Sequence, residues 1–182
     1  MRGEIFADGT HRLKISHISA LDIEAVRNLH NQESILLQLS DNTFITTEMQ
    51  EDWFSVISKS NKSFRLICRQ KANDALVGVF RIDNFDSLNR SAMIGLDISE
   101  EFRRQGYAYE IYQYFINYFF TIKKYNRLYL NTLENNFKAI NLYEKLGFQI
   151  EGRQFKSIFR NGKYLDLLCY YKLNDNIRVD IE

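Results

Sequence analysis

A turn at residues 103–108, with the sequence RRQGYA, carries the clearest chemical signal in the chain. The apolar run 93–98 before it predicts a strand, residues 99–102 predict a short acidic loop, and the turn itself opens a helix. The first N–H groups of a helix have no partner within it, and the helix dipole favours negative charge there. Gly106 permits a positive φ, and the neighbouring arginines add charge. The pattern indicates a phosphate or pyrophosphate site, with a solvated arginine surface as the alternative.

A second candidate lies in residues 135–148, NNFKAINLYEKLGF, which follow the alternating strand-like run Arg127–Leu133. The spacing of the apolar residues predicts a helix, with Gly147 in the left-handed position that commonly ends one. Asn136 suits the N-cap of this helix. Tyr143 falls on its apolar side, where a tyrosine is usually a core residue rather than a reacting group.

In this order, R-x-x-G-x-A and N-x-x-A-x-x-L-Y-x-x-x-G-F resemble the GCN5-related N-acetyltransferases, the GNAT superfamily. The later residues Glu151-Gly152 and 159–166 (FRNGKYLD) are similar to the branch with the ribosomal-protein N-terminal acetyltransferases and bacterial spermidine N-acetyltransferase. The resemblance covers residues 11–173. It implies an α/β (α+β) single domain, with a mixed, mostly antiparallel central sheet and helices on both faces. It also implies an acetyl-CoA-dependent N-acetyltransferase whose primary amine acceptor attacks the thioester directly.

The resemblance implies roles for the residues of the turn and of the strand before it. Main-chain N–H groups cradle the pyrophosphate of acetyl-CoA in a segment made of Arg103, Arg104, Gln105, Gly106, Tyr107 and Ala108. Main-chain groups near Leu96 and Ile98 pair with the pantetheine arm, and the Leu96 N–H faces the thioester carbonyl. Asn136 contacts the coenzyme. Tyr143 donates a proton to the leaving sulfur, which suits a phenol because a pKa of about 10 keeps it protonated at neutral pH.

The general base is where this chain departs from the family. Many members carry a glutamate on the central strand, but Ala92 and Met93 stand there in this chain, followed by Ile94. An alkylamine with a pKa of about 10.4 is mostly protonated at neutral pH, so its proton must be removed. We expect a water chain to remove it, aided by Asp97 on the same strand or by Glu33.

Residues 31–44 correspond to the region that walls the acceptor site in the resembling family. Glu33 and Asp41 could meet a cationic acceptor there, with Asp97 as a third acid, although loop carboxylates are more often simply solvated. His30 fits a packed or surface histidine better than a catalytic base. The acceptor is a polyamine, an amino sugar or a protein N-terminus, and the scarcity of acids weighs against a polyamine.

The missing strand carboxylate leaves a second class of function open, a catalytically silent coenzyme A-binding sensor or interaction module of the same fold. Retention of Tyr143 favours turnover instead. A third class, nucleic-acid binding through Lys123, Lys124 and Arg127, is disfavoured by a net charge of only +1. Outward-facing tyrosines of the aromatic helix after the turn leave room for a homodimer contact.

Composition limits the class of protein further. The 182 residues suit one domain, and we expect an N-terminal segment at 1–10, the acetyltransferase domain at 11–173 and a polar tail at 174–182. Cys68 and Cys169 stand singly in apolar runs, which suits packed thiols in a reducing compartment. The 3 histidines form no cluster, so we expect no metal. Without an apolar leader or a bilayer-length apolar run, a cytoplasmic protein with no membrane partner is expected.

The remaining periodicities predict the elements that position these residues. Further strands are predicted at residues 11–17, 63–69, 75–82, 148–157 and 164–173, with Asn161-Gly162 as the turn of the last hairpin. Helices are predicted from the N-cap Ser19, at residues 35–39, after a capping box at residues 47–50, and at residues 107–122 and 135–146. Residues 83–90 are predicted to be a polar loop.

Overall fold

Alternating apolar runs form the strands of the computed structural model, which describes residues 9–176. The strands are β1 (Leu13–His17), β2 (Phe64–Gln70), β3 (Leu76–Asp86), β4 (Ser91–Ile98), β5 (Arg127–Leu133), β6 (Gln149–Arg160) and β7 (Lys163–Leu173). The helices are α1 (Ile23–His30), α2 (Glu33–Leu36), α3 (Thr47–Ile57), α4 (Tyr107–Asn117) and α5 (Phe137–Lys145). Each predicted strand and helix is therefore present, with bounds that differ by a few residues.

The strands of the described residues form one sheet in the order β1-β2-β3-β4-β5-β7-β6. Neighbours run antiparallel, except that β4 and β5 are parallel. The last hairpin turns at Asn161 and Gly162, whose φ angles of 48° and 77° are both positive, as a tight hairpin turn of this kind requires. The predicted mixed, mostly antiparallel sheet is confirmed.

The parallel strands β4 and β5 part soon after they meet. Their ladder runs only from Ser91, opposite Arg127, to Met93, opposite Tyr129. β4 continues to Ile98 and β5 continues to its own end without further pairing between them. Within the described residues, the edge of β4 that faces β5 is therefore open from residue 94 onward. We call this wedge-shaped opening the strand gap.

Helices cover both faces of the sheet because successive strand residues point to opposite sides. On β3, Phe80 faces α4 and stacks on Phe115, with ring centroids 3.8 Å apart. Val79 points the other way and packs with Val26 of α1 in a second, smaller core. The aromatic helix predicted to residue 122 is α-helical to Asn117 and ends in one π-helical turn, Tyr118–Ile122.

Two local predictions are wrong. The N-cap of α3 is Thr46 rather than Thr47: the Thr46 Oγ1 accepts the Met49 N–H at 3.2 Å. Adjacent threonines made the register ambiguous, and the structure places the second one inside the helix. The predicted loop at residues 83–90 is partly strand, since β3 runs on to Asp86 through a bulge in which Asn84 takes a positive φ of 48°.

The ends of the domain lie slightly outside their predicted positions. Asn174, expected to begin a loose tail, is buried, and its Nδ2 donates to the carbonyls of Phe120 at 2.9 Å and Tyr125 at 2.8 Å. Thr10, expected in the N-terminal segment, donates its hydroxyl to the Glu110 carboxylate. Both residues belong to the packed domain. The rest of the predicted segments, residues 1–8 and 177–182, lies outside the described residues.

Residues 9–176 include both cysteines and can be searched for a metal-binding group and a membrane-crossing helix. Both thiols are free; Cys68 is fully buried, which raises its pKa to about 12, and Cys169 is half-buried. In this part of the chain no three His, Cys, Asp or Glu side chains are grouped so as to hold a metal ion. None of its helices combines the length and the apolar character needed to cross a bilayer.

Asp22 fastens the start of α1 to the sheet. One carboxylate oxygen accepts the Ser19 N–H at 2.9 Å and the Ser19 hydroxyl at 2.7 Å, and the other accepts Arg69 Nη2 of β2 at 2.8 Å. Ser19 thus caps a 3₁₀ turn that precedes α1, close to its predicted role. Burial raises the pKa of Asp22, but the bonds from Arg69 and Ser19 outweigh burial, so the net pKa is lowered.

A lowered pKa means that ionised Asp22 stabilises the fold above its unfolded pKa of about 3.9 and loses that effect as the pH falls through the folded value. Asp22→Ala should lower the free energy of unfolding at neutral pH by roughly 1–3 kcal/mol. The deficit should narrow in urea melts at pH values below about 4. Glu24→Ala, which removes an exposed acid paired with Arg27, is the control and should change little. An equal loss of unfolding free energy in Asp22→Ala at both pH values would contradict an ionised Asp22 in the folded protein.

Candidate active site

The predicted anion-binding turn lies between β4 and α4, with its backbone exposed. Gly106 is the N-cap of α4 at a φ of +82°, and Arg104 is also left-handed at +61°. The first bond within the helix runs from the Glu110 N–H to the Gly106 carbonyl at 3.1 Å. The N–H groups of Tyr107 and Ala108 precede that bond and so have no acceptor inside the helix. The turn therefore offers unpaired donors at the positive end of a helix dipole.

Three side chains of the turn stabilise it through hydrogen bonds to neighbouring segments. Arg103 Nε donates to the Ile98 carbonyl at 3.1 Å, and Gln105 Nε2 donates to the Glu101 carbonyl at 2.7 Å. The Tyr107 hydroxyl accepts Gln70 Nε2 at 2.6 Å and is tied to β2. Of the two predicted arginines, Arg104 is the exposed one, free to add charge at the mouth of the turn.

Arg12 is a positioning residue that nothing in the sequence pattern points to. It stands just before β1, yet its Nη1 donates to the Gln105 carbonyl at 3.0 Å. Its guanidinium lies 4.0 Å from the centre of the Tyr107 ring and pairs with Glu110 at 2.5 Å. Arg12 thereby neutralises the acid in the first turn of α4, which would otherwise repel an anion. The chemistry of the turn fits a nucleotide diphosphate.

Tyr143 faces the core from α5. Its hydroxyl accepts the Tyr112 hydroxyl at 3.5 Å, the limit of hydrogen-bond distance, so the Tyr143 proton remains available for another acceptor. Burial raises the pKa of Tyr143, while the Tyr112 hydroxyl and Arg81 lower it in part. The phenol is therefore protonated at neutral pH. Asn136 is the N-cap of α5, with its Oδ1 accepting the Ala139 N–H at 3.3 Å, as predicted.

The predicted strand positions Leu96 and Ile98 lie on the part of β4 that borders the strand gap. Their side chains pack against the main core. What they present to the gap is main chain, whose N–H and C=O groups are strong hydrogen-bonding groups that a ligand with amide groups could satisfy as an added strand would.

On the opposite face of the sheet lies a cavity of about 160 Å³. Most of its lining comes from the end of α1 and from the loop after α2, namely His30, Leu39, Ser40, Asp41, Thr43 and Ile45. Arg81 of β3 completes it. Asp41 lines this cavity, and hydrogen bonds from the hydroxyl and N–H of Thr43 lower its pKa. Glu33 is exposed on α2 and does not line this cavity.

Asp97, predicted as a strand acid near the acceptor, pairs with Arg81 across β3 and β4. The Asp97 side chain is mostly buried, so it is not a plain surface acid. Arg81 was not among the predicted site residues. One signal could have revealed it: an arginine interrupts the apolar run of β3, where a buried strand is expected to carry no charge.

A family model described as acetyltransferase (GNAT) domain matches residues 12–149. This chain belongs to the GNAT family. The protein is therefore an acyltransferase, with acetyl-CoA as its cosubstrate. The match spans both the turn and Tyr143.

Similar proteins differ in the acceptor that their names print. A spermidine N(1)-acetyltransferase of Vibrio cholerae serotype O1 is 27% identical over 152 residues, 84% of this GNAT chain and 87% of the relative. An L-amino acid N-acetyltransferase of Escherichia coli (strain K12) is 26% identical over 159 residues, 86% and 94% of the two chains. A crystal structure of spermidine N-acetyltransferase from Vibrio cholerae with CoA and spermine superposes with a TM-score of 0.83 at 25% identity, covering 90% of this chain and 96% of that one. The GNAT fold is confirmed.

Proposed function

We propose that this GNAT enzyme transfers an acetyl group from acetyl-CoA to a primary amine, which attacks the thioester directly across the strand gap. One observation carries the proposal: the buried Tyr143 hydroxyl accepts from the Tyr112 hydroxyl and keeps its own proton for another acceptor. Tyr143 belongs to the face covered by α4 and α5, whereas Arg81 belongs to the acceptor cavity on the other face. The open edge of β4 lies in the sheet between these two faces.

The residues that would hold the cosubstrate are those that leave main-chain groups open. The turn amides up to Ala108, with Arg104 beside them, suit the diphosphate, and the open edge of β4 at Leu96 and Ile98 suits the pantetheine amides. Asn136 adds a polar group at the start of α5. Bound acetyl-CoA supplies an activated acyl group and a sulfur leaving group. A Leu96 N–H aimed at the acyl oxygen would stabilise developing negative charge by about 3 kcal/mol.

Proton movement involves groups on both sides of the strand gap. Tyr143 donates its proton to the departing sulfur, because its own hydrogen is not used by Tyr112. The acceptor ammonium loses its proton through water, with Asp97 as the nearby carboxylate. Glu33, the other predicted aid, is exposed on α2 and does not line the acceptor cavity, and its role stays a prediction. Positioning of the amine supplies much of the rate in such a site.

The acceptor is a primary amine of the polyamine, amino sugar or N-terminal class. The name of the Vibrio cholerae relative supports a polyamine, and the name of the Escherichia coli relative supports an amino acid. A homodimer, the lack of a nucleic-acid partner and a cytoplasmic location stay predictions.

Gly106→Val tests the turn. A Cβ there would lie 3.6 Å from Arg12 Nη2, which is an ordinary contact. The substitution therefore strains the backbone through its positive φ and causes no steric clash. The strained turn should misalign its N–H groups and lower the affinity for CoA about tenfold or more, as measured by calorimetry. Gly162→Val, at a φ of +77° with no atom within 4 Å, imposes the same strain on the last hairpin and should keep CoA affinity. Normal affinity in Gly106→Val would contradict the cradle.

Tyr143→Phe tests the proton donor. Loss of the hydroxyl should lower kcat by more than about tenfold, while the dissociation constant of acetyl-CoA changes little. Tyr112→Phe removes a neighbouring buried hydroxyl that donates to Tyr143, and should lower kcat by a smaller factor. Steady-state rates of thiol release measure both variants. An unchanged kcat in Tyr143→Phe would remove its acid role.

A further inference from the structure

Arg81 is the part of the acceptor cavity that comes from the sheet. The other lining residues described belong to α1 and to the loop after α2. The Arg81 side chain retains about a third of its exposure (34%), so the guanidinium can be reached from the cavity. A permanently charged, forked donor in the wall of a cavity is suited to a planar oxyanion.

Glycine opposite Arg81 makes room for its head group. Arg81 and Gly95 are direct partners in the β3–β4 ladder. A Cβ on Gly95 would lie 2.9 Å from Nη2, 3.1 Å from Nε and 3.2 Å from Cζ of Arg81. The guanidinium therefore lies against the backbone of β4, in space that the side chain of any residue other than glycine at position 95 would fill. The backbone of β4 thus defines the position of the Arg81 charge.

The hydrogen-bonding capacity of Arg81 is not satisfied by the described residues. Its Nε is buried and has no hydrogen-bond acceptor there, although Asp97 Oδ2 stands 3.3 Å away as an ion-pair partner of unsuitable geometry. A buried donor without an acceptor is unfavourable unless water or a ligand supplies one. A ligand with an oxyanion would supply acceptors to this guanidinium.

Charges around the cavity do not favour a polycation. Asp97 is opposed by Arg81, and Asp41 is engaged by Thr43 at 2.6 Å and 3.0 Å. A second guanidinium, that of Arg160, donates to the carbonyls of Leu39 and Ser40 on the cavity wall at 2.8 Å and 2.6 Å. The two acids are thus balanced by two arginines. A spermidine molecule would bring several positive charges to a wall with no surplus of negative charge.

We propose that Arg81 binds a carboxylate of the acceptor, so that the preferred acceptor is a small amine that carries a carboxylate close to its amino group, the amino acid class. The adjacent Asp97 takes the ammonium and Arg81 takes the carboxylate, since one ion pair matches one zwitterion. Asp97 lies on the part of β4 that borders the strand gap, so an amine held by this carboxylate lies beside that gap. The inference rests on the acetyl transfer proposed above and narrows its acceptor.

The test compares matched acceptors on the full-length enzyme by thiol release from acetyl-CoA. The panel holds an amino acid, its carboxamide, the corresponding alkylamine, an aminoalkyl phosphate and spermidine. We expect kcat/KM for the amino acid to exceed that for its carboxamide by about tenfold or more, because only the carboxylate pairs with the guanidinium. Arg81→Gln should erase this preference while acetyl-CoA affinity is kept.

Arg69→Gln is the matched control. Arg69 is also a partly buried arginine paired with an aspartate, Asp22, but it lies on β2 outside the cavity. The Arg69→Gln variant should be less stable than the wild type while keeping the preference for the amino acid over its carboxamide. Should Arg81→Gln fail to fold, Gly95→Ala keeps every charge and only displaces the Arg81 head group. That variant should raise KM for the amino acid more than for the alkylamine.

Several outcomes would overturn the inference. Equal rates with the amino acid and its carboxamide, a preference for spermidine, or a preference that survives Arg81→Gln would each exclude carboxylate binding by Arg81. A preference for the aminoalkyl phosphate would assign the guanidinium to phosphate instead. In all these cases acetyl transfer to an amine would still stand. Acetyl-CoA binding without thiol release for any amine would overturn acetyl transfer and the acceptor class together.

Discussion

The parting of β4 and β5 is the constraint on which the rest of the molecule depends. Backbone N–H and C=O groups inside a protein need partners, and a sheet normally supplies them. Here the ladder ends at Met93 and Tyr129, although both strands continue. The open groups can be satisfied by water or by a molecule that lies between the strands. The sheet is thus built with space for one more extended chain in its middle.

Features that are local in the sequence could be predicted from it. The turn before α4 and the start of α5 are each determined by about ten consecutive residues, so residue spacing and turn chemistry are enough to predict them. Gly106 and Gly147, both with a φ of at least +80°, stand where those patterns require a left-handed residue. Tyr143 is a buried residue of the core, as its place on the apolar side of the helix predicts, and only the resemblance to a family motif separates it from an ordinary core tyrosine.

Features that depend on contacts distant in sequence could not be predicted in this way. Arg12 meets the Gln105 carbonyl across 93 residues of sequence, and Arg81 meets Asp97 through the register of two strands. Neither pairing leaves a pattern within a short stretch of residues, although a charge inside an apolar strand marks Arg81 itself. The direction in which α2 presents Glu33 also depends on packing, and the role of Glu33 stays a prediction. The register of adjacent threonines at the start of α3 was equally beyond local signals.

Arg160 gives the last hairpin a role beyond closing the sheet. Its guanidinium reaches from the end of β6 to the carbonyls of Leu39 and Ser40, which lie 121 and 120 residues away in the sequence. The wall of the cavity therefore depends on the last hairpin as well as on the loop after α2. A substitution in the hairpin can reshape this cavity without touching the turn before α4. The two regions can thus diverge separately among related proteins.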